Sequence, residues 1–120
     1  MIINSNQISD AREALESSII AFYLTGSRFF GNAREDSDWD FFTDDTPVTR
    51  DFLRRNGFLP TLAHTYLQDQ MITAVYERDD VDVQLCFDVT LKNKIQERMK
   101  AADIYPTRSD WRLAFILMRD

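Results

Sequence analysis

The sequence predicts a mixed α/β or α+β domain, and two patterns carry that reading. Apolar runs of strand character alternate with segments whose apolar residues recur at helical spacing, in the order α-β-α-β-α-β-β-α-α. Two of the strands are separated only by Arg78-Asp79-Asp80, a connection so short that it implies an antiparallel hairpin. The expectation is a small mixed sheet of about four strands with helices packed on it, in one domain over residues 1–120.

Each element has its own signal. A first helix runs from about Gln7 to Ser17: Asp10 and Glu13 have capping-box spacing, and Ile8, Ala11 and Leu15 share a face. Ile19–Leu24 is a continuous apolar run ending at Thr25-Gly26, which reads as a buried strand feeding a turn. Ser27 to Ala33 reads as a short helical segment and Trp39–Thr43 as the next strand. Val48–Asn56 is a helix stopped by Gly57, with Phe52 and Leu53 inward and Arg50, Arg54 and Arg55 on its solvated face. Ile72–Glu77 and Val81–Phe87 form the hairpin. Thr90–Ala102 is a helix with Leu91, Ile95, Met99 and Ala102 in a stripe, and Lys92, Lys94, Arg98 and Lys100 mostly off it. Past Pro106, a last helix over about Ser109–Met118 is apolar on most of its circumference, which places it in the core or at a subunit interface.

Composition excludes several classes. Hydrophobic residues make up 44% and charged residues 28%, the balance of a globular chain. The longest apolar runs, Ile19–Leu24 and Leu113–Met118, fall far short of the roughly 20 residues a membrane span needs. Met-Ile-Ile-Asn-Ser-Asn-Gln lacks the basic region and long apolar stretch of a secretory signal, so a cytoplasmic location with no membrane partner is expected. The single cysteine, Cys86, rules out an internal disulfide or a cysteine-rich zinc site and reads as an inert core residue. The single histidine, His64, reads as structural or surface.

Charge is more informative. Twenty acids against 14 bases leave a net charge of −6, and six of the acids (Glu35, Asp36, Asp38, Asp40, Asp44, Asp45) crowd into residues 35–45, where no base lies. Elsewhere acids and bases balance, so the net charge is a local feature. Such a chain does not grip nucleic acid by charge alone.

The chemistry begins with alternation along a strand. Asp38 and Asp40 point to one face while Trp39 and Phe41 point to the other. Unpaired, two such carboxylates repel; a shared Mg²⁺ or Mn²⁺ turns that repulsion into coordination. On a later strand Val81, Val83, Leu85 and Phe87 share one face and Asp82 takes the opposite one, as a third metal ligand would. Upstream, Gly26 allows close backbone approach to a phosphate, the Ser27 hydroxyl can donate to it, and Arg28 or Arg34 can add a cation. Asp36, Asp38 and Asp40 do not make an EF-hand, because the positions that need glycine and glutamate hold Phe41 and Pro47. Asp79 and Asp80 read as turn residues.

Gly26-Ser27-Arg28-Phe29-Phe30-Gly31, a ten-residue spacer after Ser27, and Ser37-Asp38-Trp39-Asp40-Phe41 together resemble the signature of the polymerase-β-like nucleotidyltransferase superfamily. The form is similar to that of its minimal nucleotidyltransferase branch, and Val81-Asp82-Val83 resembles the family's third-carboxylate strand. Phe29-Phe30 departs from the small or basic residues common between the two glycines, and Arg34-Glu35-Asp36 makes the following loop highly charged. The resemblance implies a palm-like nucleotidyltransferase fold. It implies that Asp38, Asp40 and Asp82 are catalytic and hold Mg²⁺ or Mn²⁺, and that Gly26 and Ser27, with Arg28 beside them, bind the nucleotide phosphates. The implied reaction moves an NMP from an NTP to a hydroxyl on a small molecule, protein or RNA, releasing pyrophosphate. Modification of a small molecule or protein is favoured over polymerisation, because the acidic surface lacks a nucleic-acid track. Two rival readings stand beside it. One is a catalytically silent, antitoxin-like binding module of the same fold that neutralises a partner protein, whereas the enzyme is expected to be the catalytic core alone, completed by a partner protein or a homodimer through the C-terminal helix. The other is an acidic protein that mimics nucleic acid.

Overall fold

The computed structural model describes residues 9–61 and 71–118. The elements are α1 (Asp10–Glu16), β1 (Tyr23–Thr25), α2 (Gly26–Phe30), β2 (Trp39–Asp44), α3 (Pro47–Arg55), β3 (Leu59–Thr61), β4 (Ile72–Arg78), β5 (Val81–Cys86), α4 (Val89–Ala101) and α5 (Arg108–Met118). One open sheet runs in the order β1-β2-β5-β4-β3. The β2–β5 pairing is parallel and the other three are antiparallel, so the fold is a mixed α+β one. Five strands replace the expected four. His64 lies outside the described residues.

Strand alternation divides the core into two layers. Phe41, Tyr76, Val81, Val83 and Leu85 pack with Ala11 and Leu15 of α1 and Leu53 of α3. On the opposite face Phe42, Ile72, Val75 and Cys86 pack with Ile95 and Met99 of α4 and Trp111 of α5, and Phe30 of α2 joins them. The helices are capped as the sequence permits. The Ser9 hydroxyl accepts from the Arg12 amide (3.2 Å), so Ser9 starts α1 rather than the Asp10–Glu13 pair. Thr46 and Asp88 cap α3 and α4 in the same way, and Pro47 occupies the first turn of α3, where its missing N–H costs nothing.

Three expectations need correction. The strand expected over Ile19–Leu24 begins only at Tyr23, and Ile19 is fully exposed. The Ser18 hydroxyl accepts from the Ile20 amide (3.0 Å), turning the chain before it can pair. The helix expected over Ser27 to Ala33 is the shorter α2, closed by Gly31 at φ 88. Lys92, expected off the apolar stripe of α4, is fully buried, whereas Ala102 is exposed. The Lys92 Nζ lies 3.8 Å from the Trp111 ring centroid, and burial pushes its pKa down to about 7 against the opposing pull of Cys86. Cys86 is buried, which raises its thiol pKa and agrees with an inert role.

α5 divides its apolar surface. Trp111 is buried, while Leu113, Ile116 and Leu117 face outward. Among the described residues no helix is long and apolar enough to cross a membrane.

Phe42 is fully buried between the sheet and α4 and stacks on Tyr23 at 5.3 Å between ring centroids. Phe42→Ala should destabilise the fold by about 3–5 kcal/mol, read as a lower urea midpoint with an unchanged slope.

Candidate active site

The site is written in strand register. Asp40 pairs with Asp82 across the parallel β2–β5 ladder, with Thr25 across β1–β2, and Asp82 pairs with Glu77 across β4–β5. Residues in register point to the same face, so Thr25, Asp40, Asp82 and Glu77 form one row across four strands, each roughly 4.8 Å from the next. Asp38 lies two residues before Asp40 and adds a carboxylate to that face, at the exposed end of the loop entering β2.

Electrostatics follow from the row. Burial, then the neighbouring charges of Asp82 and Asp38, push the Asp40 pKa up to about 7, and Asp40 in its protonated form donates a hydrogen bond to Asp82. Asp82 is raised as well, by burial and by the charges of Asp38 and Glu77, while the hydrogen bond from Asp40 pulls it the other way. Two side-by-side carboxylates in a half-buried site cannot both ionise cheaply, which is why both are raised.

The turn at the end of β1 closes on this pair. Gly26 sits at φ +69, and a Cβ built on it would collide with Oδ2 of Asp40 and lie 3.2 Å from the Asp40 Cγ. Glycine is therefore required twice, by the left-handed backbone and by direct contact with the carboxylate. Ser27 follows, and its carbonyl accepts from the Gly31 (2.9 Å) and Asn32 (3.1 Å) amides, which tightens α2. Behind the turn, the buried Gln96 of α4 donates to the Leu24 carbonyl (2.9 Å) and so ties α4 to the end of β1.

The structure brings Asp38, Asp40, Asp82 and Gly26 together, with Ser27 beside them. Arg28 turns elsewhere: its Nη2 donates to the carbonyls of Glu35 (3.0 Å) and Ser37 (2.7 Å), and its guanidinium lies over Trp39. Arg34 is exposed and pairs loosely with Asp36 (3.8 Å). Asp45 belongs to another task. It takes a bidentate bond from Arg50 (2.7 and 2.8 Å) and a hydroxyl bond from Thr73, and the bond from Arg50 leads the causes that hold its pKa low. The acidic segment is thus sorted into distinct roles and does not form one uniform patch.

Glu77 was not among the sequence candidates, although a signal existed. A two-residue hairpin turn at Asp79-Asp80 sets Arg78 opposite Val81 and therefore Glu77 opposite Asp82. Asp79 does take the left-handed turn conformation (φ 52), while Asp80 accepts from the Ser9 hydroxyl (2.7 Å) and the Trp39 amide (2.8 Å), anchoring both α1 and β2.

The donor set is all carboxylate oxygen, which suits a hard cation such as Mg²⁺ or Mn²⁺. The half-buried Asp40–Asp82 pair fits such an ion, because a cation relieves the repulsion that raises both pKa values. Among the described residues, however, no group of three or more His, Cys, Asp or Glu side chains is closed around one point to hold a metal. Comparison with protein-family models, curated proteins and solved structures returns no match.

The pH dependence has a definite sign. Folded Asp40 keeps a proton that the unfolded chain releases near pH 3.8, so metal-free stability falls as pH rises from about 4 to about 7. This contribution is at most about 4 kcal/mol. Asp40→Asn should remove most of that fall, measured by urea unfolding in chelator across this window.

Proposed function

We propose that this chain is a metal-dependent nucleotidyltransferase of polymerase-β-like fold, transferring an NMP from an NTP to a hydroxyl acceptor. The observation that carries the reading is the contact of Gly26 with Asp40 while Asp40 stands in register with Asp82. A turn suited to phosphate approach and a carboxylate pair suited to a divalent cation meet at one point. The resemblance of Gly26-Ser27 and Asp38-Trp39-Asp40 to the family signature supports the same reading.

In this account Gly26 and Ser27 hold the β- and γ-phosphates, with the Ser27 hydroxyl donating to them. Asp38, Asp40 and Asp82 would hold Mg²⁺ or Mn²⁺, which, when bound, stabilises charge developing on the attacking and leaving oxygens. Asp82 orients the acceptor hydroxyl and takes its proton. The acceptor oxygen forms a bond to the α-phosphorus, the bond from that phosphorus to the bridging oxygen breaks in line, and pyrophosphate departs with the electron pair. The net charge of −6 favours a small-molecule or protein acceptor over a nucleic-acid chain.

A second reading keeps the fold and drops the chemistry: a silent module that binds a partner protein or a second copy through α5. The outward-facing Leu113, Ile116 and Leu117 favour it.

Thermal unfolding with each NTP, with and without Mg²⁺ or Mn²⁺, separates the two. A nucleotide at a hundredfold excess over its Kd stabilises by about 2.7 kcal/mol, a shift of several degrees in a domain this small. The enzyme reading expects a metal-dependent shift with at least one NTP that disappears in Asp38→Asn/Asp40→Asn. Absence of any shift in folded wild-type protein would overturn it and leave the binding module.

A further inference from the structure

We infer that Arg28 is a positioning residue for Asp38, clamping the loop that delivers this carboxylate to the site, and not a ligand of the nucleotide phosphates. The inference deepens the nucleotidyltransferase reading and rests on it for the role of Asp38.

Asp38 has a weak local hold. It stands outside β2, exposed, at the end of a stretch from Gly31 that has no helix or strand. Ordering such a stretch costs roughly 1–2 kcal/mol per residue in backbone entropy, so the site needs contacts that fix the loop before a cation arrives. Part of the hold is internal: the Ser37 hydroxyl accepts from the Arg34 amide (2.8 Å), and the Ser37 amide donates to the Arg34 carbonyl (3.1 Å). That closes the turn on itself but ties it to nothing else.

Arg28 supplies the tie. Its Nη2 donates to the Ser37 carbonyl at 2.7 Å, in the peptide immediately before Asp38, and to the Glu35 carbonyl at 3.0 Å. The peptide immediately after Asp38 is held too, because the Trp39 amide donates to the Asp80 carbonyl at 2.8 Å. Asp38 is thus fixed from both sides by groups belonging to other elements. The Trp39 ring points to the opposite face of the sheet, where the Arg28 Cζ lies 4.3 Å and the Arg12 Cζ 3.5 Å from its centroid. Nε of each arginine is buried without a hydrogen-bond partner, the cost of laying both guanidinium groups on one indole.

These contacts explain why the residue is arginine. A planar guanidinium can lie over an indole while its edge serves two carbonyls; an ammonium on a flexible stem cannot do both. They also join the two halves of the site. Arg28 stands two residues after Gly26 on the same short helix, so one element sets the turn against Asp40 and holds the loop bearing Asp38.

The test compares wild type with Arg28→Lys and Arg28→Met, each first shown to be folded by circular dichroism, and reads two quantities without nucleotide. The first is amide hydrogen exchange at Ser37 and Trp39, expected to accelerate about tenfold or more in both variants. The second is Mn²⁺ affinity, expected to fall by about 10–100-fold in both, as when a group supporting a metal ligand is removed. Arg28→Lys is the decisive variant, since it keeps the charge a phosphate ligand would need and loses the clamp. Wild-type exchange and Mn²⁺ affinity in Arg28→Lys, with NTP binding weakened only in Arg28→Met, would overturn the inference. If wild-type protein binds no Mn²⁺, the nucleotidyltransferase reading fails, and the exchange rates alone still decide whether Arg28 holds the loop.

Discussion

The structure depends on setting two half-buried carboxylates side by side. Parallel pairing of β2 with β5 places Asp40 and Asp82 in register, and α2 and the core beneath them remove much of their solvent. A fold gains nothing from this arrangement as such, since like charges repel more strongly as the dielectric falls. Burial and mutual repulsion therefore raise the pKa of both groups, that of Asp40 to about 7. Gly26 presses on the same junction, and the proposed metal site rests on this meeting of a tight turn with two coupled carboxylates.

The rest of the fold serves that junction. Trp39 lies between the two aspartates in sequence and faces the opposite layer, where Arg12 and Arg28 engage its ring. Asp80 ties the start of β2 to the β4–β5 turn and to the cap of α1, so the ends of four elements meet beside the carboxylates. Gln96 fixes the approach of β1 to Gly26 from the α4 side. None of these contacts involves large apolar area; they set positions, while Phe42, Tyr76, Leu85 and Trp111 supply the burial.

Much of this was legible in the sequence because it is written in local patterns. Strand alternation put Asp38 with Asp40 and set Asp82 against its valine neighbours, and the β4–β5 hairpin followed from a connection too short for anything else. What escaped depends on contacts remote in sequence. Leu59–Thr61 is short and contains Pro60, which only an edge strand tolerates, so its pairing with β4 could not be read locally. Ile19 belongs to an apolar run, yet the Ser18 hydroxyl turns the chain there. Lys92 stands three, four and seven residues before Ile95, Gln96 and Met99 and shares their buried face; its charge pointed to solvent, and Trp111 of α5 covers it instead. Arg28 follows Gly-Ser directly, where proximity in sequence suggested phosphate; the loop carbonyls that take it lie seven and nine residues onward.

The coupling of Asp40 to Asp82 across the β2–β5 ladder is the feature on which the proposed metal site stands. Carbon-detected NMR titration of the two carboxyl groups, with and without Mg²⁺, addresses it directly. Without metal, Asp40 should titrate at about 7, with Asp82 raised and coupled to it. Saturating Mg²⁺ should pull the Asp40 midpoint well down, because the ion favours the ionised form. Ordinary midpoints near 3.9 for both groups, unmoved by Mg²⁺, would contradict the account.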